Sequence, residues 1–145
     1  MLTLVEPSLD ELVPHMLKEE QITCPVSHHF GPNVYVRAVF IPAGTIALGH
    51  AHRSEHLTNL VRGKMAVYTG AGEPVLKEGP DMFLSPAGRK LVYTLEDCLV
   101  QNIYSTPETD IETLENTLVD KSNQWTDQQI VDGQIQRLEH VAEVL

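Results

Sequence analysis

The chain has 145 residues, 42% of them hydrophobic and 21% charged, which suits one soluble domain with a single core. No stretch approaches the roughly 18 to 20 consecutive apolar residues that a membrane span needs. The net charge of -10 lies in the two ends: residues 1–20 hold five acids and one base, residues 107–145 nine acids and two bases, and the middle is nearly neutral. An acidic exterior argues against a nucleic-acid partner, since phosphate binding needs a basic face.

Residues 1–29 are predicted to form an N-terminal flank. The start has acids where a secretory signal has a basic region, and it lacks a continuous apolar stretch, so we expect a cytoplasmic protein. Residues 8–11 have the form of a capping box, but Pro14 follows closely, which predicts a short or kinked helix. Cys24 and Cys98 are far apart in sequence and form no CxxC pair, and we expect reduced, buried thiols.

Residues 30–106 consist of short β-rich segments separated by glycine and proline. Strands of this length at regular spacing are typical of a sandwich or barrel. The predicted strands are 34–41, 45–52, 56–61, 64–68, 74–77, 82–84, 90–95 and 98–104. His28 and His29 precede them and are interpreted as a loop.

Residues 107–145 are predicted to form an acidic helical segment. Residues 109–112 form a second capping box, and residues 126–129 form a third. The helix after the third box carries a short heptad-like apolar stripe. This stripe suits either packing onto the barrel or contact with a partner chain. The stripe consists of Val131, Ile135, Leu138, Ala142 and Leu145.

Three histidines fall within seven residues, at His50, His52 and His56. On a strand, His50 and His52 point to the same side because side chains alternate with period two. Residues 53–55 suit a turn, after which His56 begins the next strand and returns a third imidazole. Three protein ligands leave coordination positions open for water or substrate, as in a catalytic metal site.

The segment from Gly44 to Gly63 resembles the first motif of the cupin superfamily. That motif is a glycine, five residues, His-x-His, three or four residues, an acid, six residues and a glycine. Gly44, His50, His52 and Gly63 match it, whereas the acid position is His56. The resemblance implies a mainly β cupin-type double-stranded antiparallel β-barrel, or jelly roll, with helical flanks, and a divalent metal bound by the three histidines.

The second cupin motif is recognisable but altered. Its Gly...Pro-x-Gly frame is matched by Gly79, Pro86 and Gly88, with one extra residue between Gly79 and Pro86. Leu91 stands where the motif has a histidine after the second glycine. The fourth usual ligand is therefore missing. The whole string is also similar to small cupin-like proteins encoded in phage genomes.

Three neutral imidazoles leave a divalent ion with more positive charge than two imidazoles and a carboxylate would, which favours an anionic ligand. Arg89 and Lys90 would add to this attraction if they are not simply a solvated turn. Glu55 is an alternative third ligand, which would make a two-His, one-carboxylate site. Imidazole suits zinc, iron, nickel and copper alike. A second interpretation has no metal, with the imidazoles only hydrogen-bonded inside the barrel.

Further pocket candidates are Thr58, Tyr93 and Tyr104, the two tyrosines being equally compatible with simple packing. The leading functional hypothesis is a metal-binding cupin that acts on a small polar or anionic molecule, with a metal-dependent enzyme as its catalytic form. The alternative is a non-catalytic ligand-binding or assembly protein with a degenerate site. Because barrel edges often pair, we expect a homo-oligomer, with a dimer favoured.

Overall fold

A computed structural model describes residues 9–16 and 18–120 of the chain. It contains two short helices and eleven strands in this part. In chain order these are α1 (Leu9–Met16), β1 (Val26–Gly31), β2 (Val34–Ile41), β3 (Ile46–Leu48), β4 (Ala51–His52), β5 (His56–Arg62), β6 (Lys64–Tyr68), β7 (Val75–Glu78), β8 (Asp81–Ser85), β9 (Leu91–Thr94), β10 (Cys98–Ser105), α2 (Ile111–Leu118) and β11 (Val119–Asp120).

The strands form two main antiparallel sheets. One has five strands in the order β1-β2-β10-β5-β8, and the other has four in the order β3-β9-β6-β7. β11 pairs with β4 as a separate two-stranded ladder. Both main sheets contribute to one buried apolar cluster, so they pack face to face as in a jelly roll. The cluster comprises Cys24, Val39, Ile41, Leu60, Met65, Val67, Cys98 and Val100. Both cysteines in it are free thiols, as expected.

The predicted fold class is confirmed: the chain is mainly antiparallel β with few helices. Gly63 illustrates how local sequence determines a turn between β5 and β6. Its φ is +106°, and a Cβ at this position would collide with the Asp97 carbonyl oxygen and with Cys98. Only glycine allows the backbone to pass there.

Helix α1 covers the outer side of the four-stranded sheet. Leu9 and Met16 pack with the buried Leu48, and Leu91 joins them from the neighbouring strand. The helix is eight residues long and contains Pro14, in agreement with the short helix predicted. Among the described residues, none of the helices has the length and apolar character required to span a membrane.

Helix α2 and strand β11 lie against the end of the barrel that carries the histidines. Leu114 is fully buried against Tyr35 and Tyr104. Val119 then pairs with His52, and the Arg53 amide donates a hydrogen bond of 3.0 Å to the Leu118 carbonyl. Residues 111–120 are therefore part of the same packed unit as the barrel.

Three local expectations differ from the structure. His28 and His29 lie on a strand, β1, which pairs with β2 over six residues, so the five-stranded sheet begins before residue 30. The predicted strand 45–52 is divided into β3 and β4. The predicted capping box starts at residue 109, whereas the N-cap of α2 is the next residue, Asp110. Its carboxylate accepts a hydrogen bond of 3.0 Å from the Thr113 amide. The predicted helix after residues 126–129 lies outside the described residues.

Candidate functional site

The three histidines lie around the β3–β5 connection. His50 is 2% exposed and precedes β4, His52 is on β4, and His56 is the first residue of β5. Because the strand breaks between β3 and β4, His50 and His52 are not successive inward residues of one regular strand. Glu55 is exposed, and His56, rather than Glu55, is the residue that turns inward.

His52, His56 and Tyr104 form a compact ring cluster. The ring centroids of His52 and His56 are 4.2 Å apart, and each ring stacks on Tyr104, at 6.1 and 5.1 Å respectively. The Tyr104 hydroxyl shares a hydrogen bond of 3.1 Å with Nδ1 of His52. Nδ1 of His56 is 3.2 Å from the Ser54 carbonyl, to which it can donate. Both rings are thus fixed through Nδ1.

His56 is held in its neutral form. Burial lowers the pKa of His56 below its usual value of 6.5, an effect that the hydrogen bond to Ser54 opposes and the nearby charge of Lys90 reinforces. A neutral imidazole offers one nitrogen lone pair, which is the form needed either to accept a hydrogen bond or to bind a metal.

A shared metal ion requires three ring nitrogens directed at one point about 2.0–2.1 Å away. Within residues 9–16 and 18–120, no three His, Cys, Asp or Glu side chains form a group that could hold one ion. His52 and His56 are adjacent, but His50 does not complete a trio with them. As they are placed, the three histidines therefore do not fit a metal ion, and the metal site stays a prediction.

A cavity of about 100 Å³ opens inside the barrel next to this cluster. His50, His52, Thr58 and Tyr104 are among the residues that line it. Its other polar lining residues include Tyr35, Arg37, Lys90, Asn102 and Glu115. The rest of the lining is mainly aliphatic, with Leu114, Leu118 and Val119 contributed by the α2–β11 segment.

Lys90 begins a chain of hydrogen bonds that crosses the cavity wall. Its Nζ donates to the Ser85 hydroxyl at 2.7 Å, and Ser85 and Thr58 are joined at 2.6 Å. The Thr58 hydroxyl donates to the Asn102 carbonyl oxygen at 3.0 Å. Since each hydroxyl has one hydrogen, Ser85 must donate to Thr58. The chain therefore runs in one direction, from the lysine ammonium to the amide oxygen.

Burial lowers the pKa of Lys90 to about 8. The group is still mostly protonated at neutral pH, so the cavity wall carries a positive charge whose hydration is reduced. An ammonium has three N–H donors, and the bond to Ser85 uses one. Such a group binds an oxyanion well because the charge-assisted hydrogen bonds form in a poorly hydrated site.

Two of the predicted pocket residues lie elsewhere. Arg89 is buried but donates a 2.9 Å hydrogen bond to the Gly49 carbonyl and does not line the cavity. Tyr93 is 44% exposed and is also absent from the lining. Strand alternation explains this difference, since Val92 faces the core and its neighbours Leu91 and Tyr93 face outward.

Lys90 is the functional candidate that sequence reasoning placed only loosely, beside Arg89. The alternation of β9 indicates that Lys90 faces the barrel interior, because residues two positions apart on a strand share a side and Val92 faces inward. Leu91, which occupies the position of the missing fourth histidine, instead packs with Leu48 and helix α1. Lys90, the residue just before this position, lines the cavity instead.

No protein-family model matches the sequence, and neither does any curated protein. Solved structures do resemble it. Ectoine synthase from P. lautus superposes with a TM-score of 0.54 at 15% identity, covering 87% of this chain and 99% of that one. Protein NMB1881 from Neisseria meningitidis gives 0.50 at 16% identity, covering 65% and 96%. A mutant of Bacillus subtilis oxalate decarboxylase gives 0.51 at 13% identity, covering 66% of this chain and 30% of that one.

Ectoine synthase and oxalate decarboxylase are cupin structures, and at such low identity the likeness bears on the fold alone. Within the part of the chain that the structure describes, the antiparallel pairing of the strands and the cavity between the two sheets agree with it. The chain therefore has the cupin fold, a double-stranded antiparallel β-barrel.

Proposed function

We propose that the protein binds a small anionic molecule inside the barrel, with Lys90 as the principal anion-binding residue. The observation that carries the proposal is the position of Lys90, which is one of the residues lining the cavity and whose ammonium is oriented by a 2.7 Å hydrogen bond to Ser85. A buried cation requires a compensating charge or hydrogen bonds. A bound anion supplies both.

The charges around the cavity support an anion rather than a cation. Arg37 and Lys90 are the basic residues of the lining, and Glu115 is its acidic residue. The lowered pKa of His56 keeps the adjacent ring uncharged, so the balance of these groups is positive. The guanidinium of Arg37 suits a planar carboxylate, because it presents donors in a rigid fork.

Calorimetric titration with acetate, butyrate, oxalate and inorganic phosphate tests the proposal. We expect at least one of these anions to bind at one site per chain, and Lys90→Met to weaken that binding by about tenfold or more, because a charged hydrogen bond is lost. Lys77→Met is the matched control. Lys77 is close to the same Phe83 ring as Lys90, but it pairs with Asp81 and does not line the cavity.

Absence of saturable binding by all four anions in the unmodified protein would contradict the proposal. Equal affinity in the Lys90→Met and unmodified proteins would contradict it as well, because the lysine would then have no part in binding.

A second candidate function is binding of zinc, iron, nickel or copper by His50, His52 and His56, on which the metal-dependent enzyme hypothesis rests. It is favoured by the 4.2 Å separation of the His52 and His56 rings. Metal binding would require the ring of His50 to turn toward this pair, since the three do not form a donor group as placed.

Elemental analysis of untagged protein after reconstitution with each metal tests this second candidate. Metal binding predicts close to one equivalent, lost when all three histidines are replaced by alanine. Less than about a tenth of an equivalent, or a content unchanged by the replacement, would exclude it.

A further inference from the structure

The cavity wall changes from polar to aliphatic along each strand that forms it. On β2, the successive inward residues are Arg37 and Val39, two positions apart, and Ile41 follows. On β10 the same change occurs from Asn102 to Val100. Because inward residues recur every second position, each step moves about 7 Å along the strand.

The strand register aligns these residues in two rows. The polar row joins Arg37, Asn102 and Thr58 across β2, β10 and β5. The aliphatic row, one step further along the strands, joins Val39, Val100 and Leu60. Polar and aliphatic residues are therefore segregated within the five-stranded sheet.

The four-stranded sheet repeats this arrangement on the opposite wall. Lys90 lies at its polar end, and Val92, two residues later, pairs with Ala47 on one side and Val67 on the other. All four of these residues line the cavity. The site thus has a charged end and an aliphatic floor contributed by both sheets.

We propose that the ligand is a short aliphatic monocarboxylate whose carboxylate lies between Lys90 and Arg37 and whose hydrocarbon chain lies on the aliphatic floor. This inference rests on the proposed anion-binding function and specifies its ligand class. Burying apolar carbon against Val39, Val92 and Val100 is favourable. A second carboxylate or a hydroxyl at the same depth would lose its water without a partner.

The size of the cavity agrees with this class. A dry protein cavity of about 150 Å³ holds benzene, so one of about 100 Å³ takes a smaller molecule with a chain of a few carbons. Butyrate and oxalate make a suitable matched pair, because they have equal numbers of non-hydrogen atoms and differ in the polarity of the distal half.

The experiment compares acetate, butyrate and oxalate by calorimetric titration of the full chain. A buried methylene contributes roughly a fourfold gain in affinity, so butyrate should bind on the order of tenfold more tightly than acetate. Oxalate should bind less tightly than butyrate. Val100→Thr places a hydroxyl on the floor at nearly constant volume, and it should remove most of the butyrate advantage while leaving acetate affinity unchanged.

Val36→Thr is the control, because Val36 lies on the same sheet at an outward position of β2, paired with Ile103. It should leave all three affinities unchanged. If Val100→Thr does not fold, the ranking of the three anions in the unmodified protein still decides the inference.

Butyrate binding no more tightly than acetate, or oxalate binding more tightly than butyrate, would overturn the aliphatic ligand while leaving anion binding in place. If none of these three anions binds, this inference fails, and the proposed function fails with it only if inorganic phosphate does not bind either. The two failures are therefore distinguishable.

Discussion

The hydroxyl of Tyr104 lies 3.1 Å from Nδ1 of His52 and joins strand β10 to the short strand β4. Tyr104 also stacks on the rings of His56 and Tyr35. The packing of this one side chain therefore depends on elements that are distant in sequence. Removing its hydroxyl eliminates the hydrogen bond to His52 and leaves the ring contacts in place, so the contribution of the hydrogen bond can be measured separately.

Tyr104→Phe should lower the free energy of unfolding by about 1 kcal/mol, because it keeps the ring and removes one buried hydrogen bond. Urea denaturation measures this change. Tyr93→Phe is the control, since Tyr93 is exposed and its substitution should alter stability by less than about 0.5 kcal/mol. Equal effects of the two substitutions would show that the Tyr104–His52 bond does not contribute.

Anion binding should weaken as the pH rises above about 8, the pKa to which burial lowers Lys90. Below this pH the amine is charged and attracts an anion, and above it the neutral amine does not. The other charged or titratable residues that line the cavity are Tyr35, Arg37, His50, His52, Tyr104 and Glu115. Titrations between about pH 7 and 10 should show the decline in the unmodified protein and not in Lys90→Met. An unchanged affinity over this range would contradict the role of Lys90.

The same shift predicts how stability depends on pH without ligand. Between about 8 and the usual value of 10.5, the unfolded chain still holds the proton that the folded chain has released. Stability should therefore rise with pH across this window. The free energy of unfolding of the unmodified protein should rise with pH more steeply than that of Lys90→Met between about 8 and 10.5, and the two pH dependences should agree outside this window. If the stability of the unmodified protein does not rise with pH in this range, the Lys90 amine is well hydrated.

Gly63→Ala should destabilise the barrel by about 2 kcal/mol or more, since it combines a left-handed backbone conformation with a collision. Gly72→Ala is the matched control, because Gly72 also has a positive φ, of +73°, but a Cβ there meets nothing within 4 Å. It should cost about 1 kcal/mol or less. Thermal unfolding distinguishes the two, and similar losses would show that the contact with Asp97 and Cys98 relaxes readily.

A homodimer through the edge strand β8 is tested by charged substitutions. Leu57 and Leu84 are cross-strand neighbours on β5 and β8, both are substantially exposed, and β8 is the edge of its sheet. Antiparallel pairing of two β8 strands would continue this apolar surface across both copies. Leu57→Lys with Leu84→Lys should reduce the mass measured by light scattering to that of one chain.

The control for the dimer places the same two lysines at Val75 and Leu76, which are exposed on β7, the edge of the other sheet. It should leave the dimer intact. A mass near 16.2 kDa for the unmodified protein would rule out the dimer at the concentration tested.

The strands that could be predicted from sequence are those with regular alternation and glycine or proline at both ends. The predicted segments 34–41 and 64–68 agree with β2 and β6 in both bounds. β1 was missed because its VSHHFG sequence is polar and mostly exposed, so its pairing with β2, rather than burial, defines it as a strand. The break between β3 and β4 likewise depends on pairing, since β4 is held by β11 and by Gly88.

The His-x-His pair and the predicted pocket residues Thr58 and Tyr104 line the cavity, whereas the role of the histidines as metal ligands stays a prediction. Sequence spacing alone could not show whether three imidazoles converge, because that depends on a strand break and on ring orientations fixed by Tyr104 and Ser54. Lys90 was underestimated for a related reason, since its side follows from the register of β9 and not from the Pro-x-Gly turn.

Helix α2 and strand β11 supply Leu114, Leu118 and Val119 to the cavity lining. Binding of a molecule inside the barrel and packing of helix α2 and strand β11 onto the barrel would consequently be thermodynamically linked. A molecule that fills the barrel gains contacts only while the helix is seated, and it therefore protects the helix from local unfolding. By the same reciprocity, detachment of the helix would weaken the binding of a molecule inside the barrel.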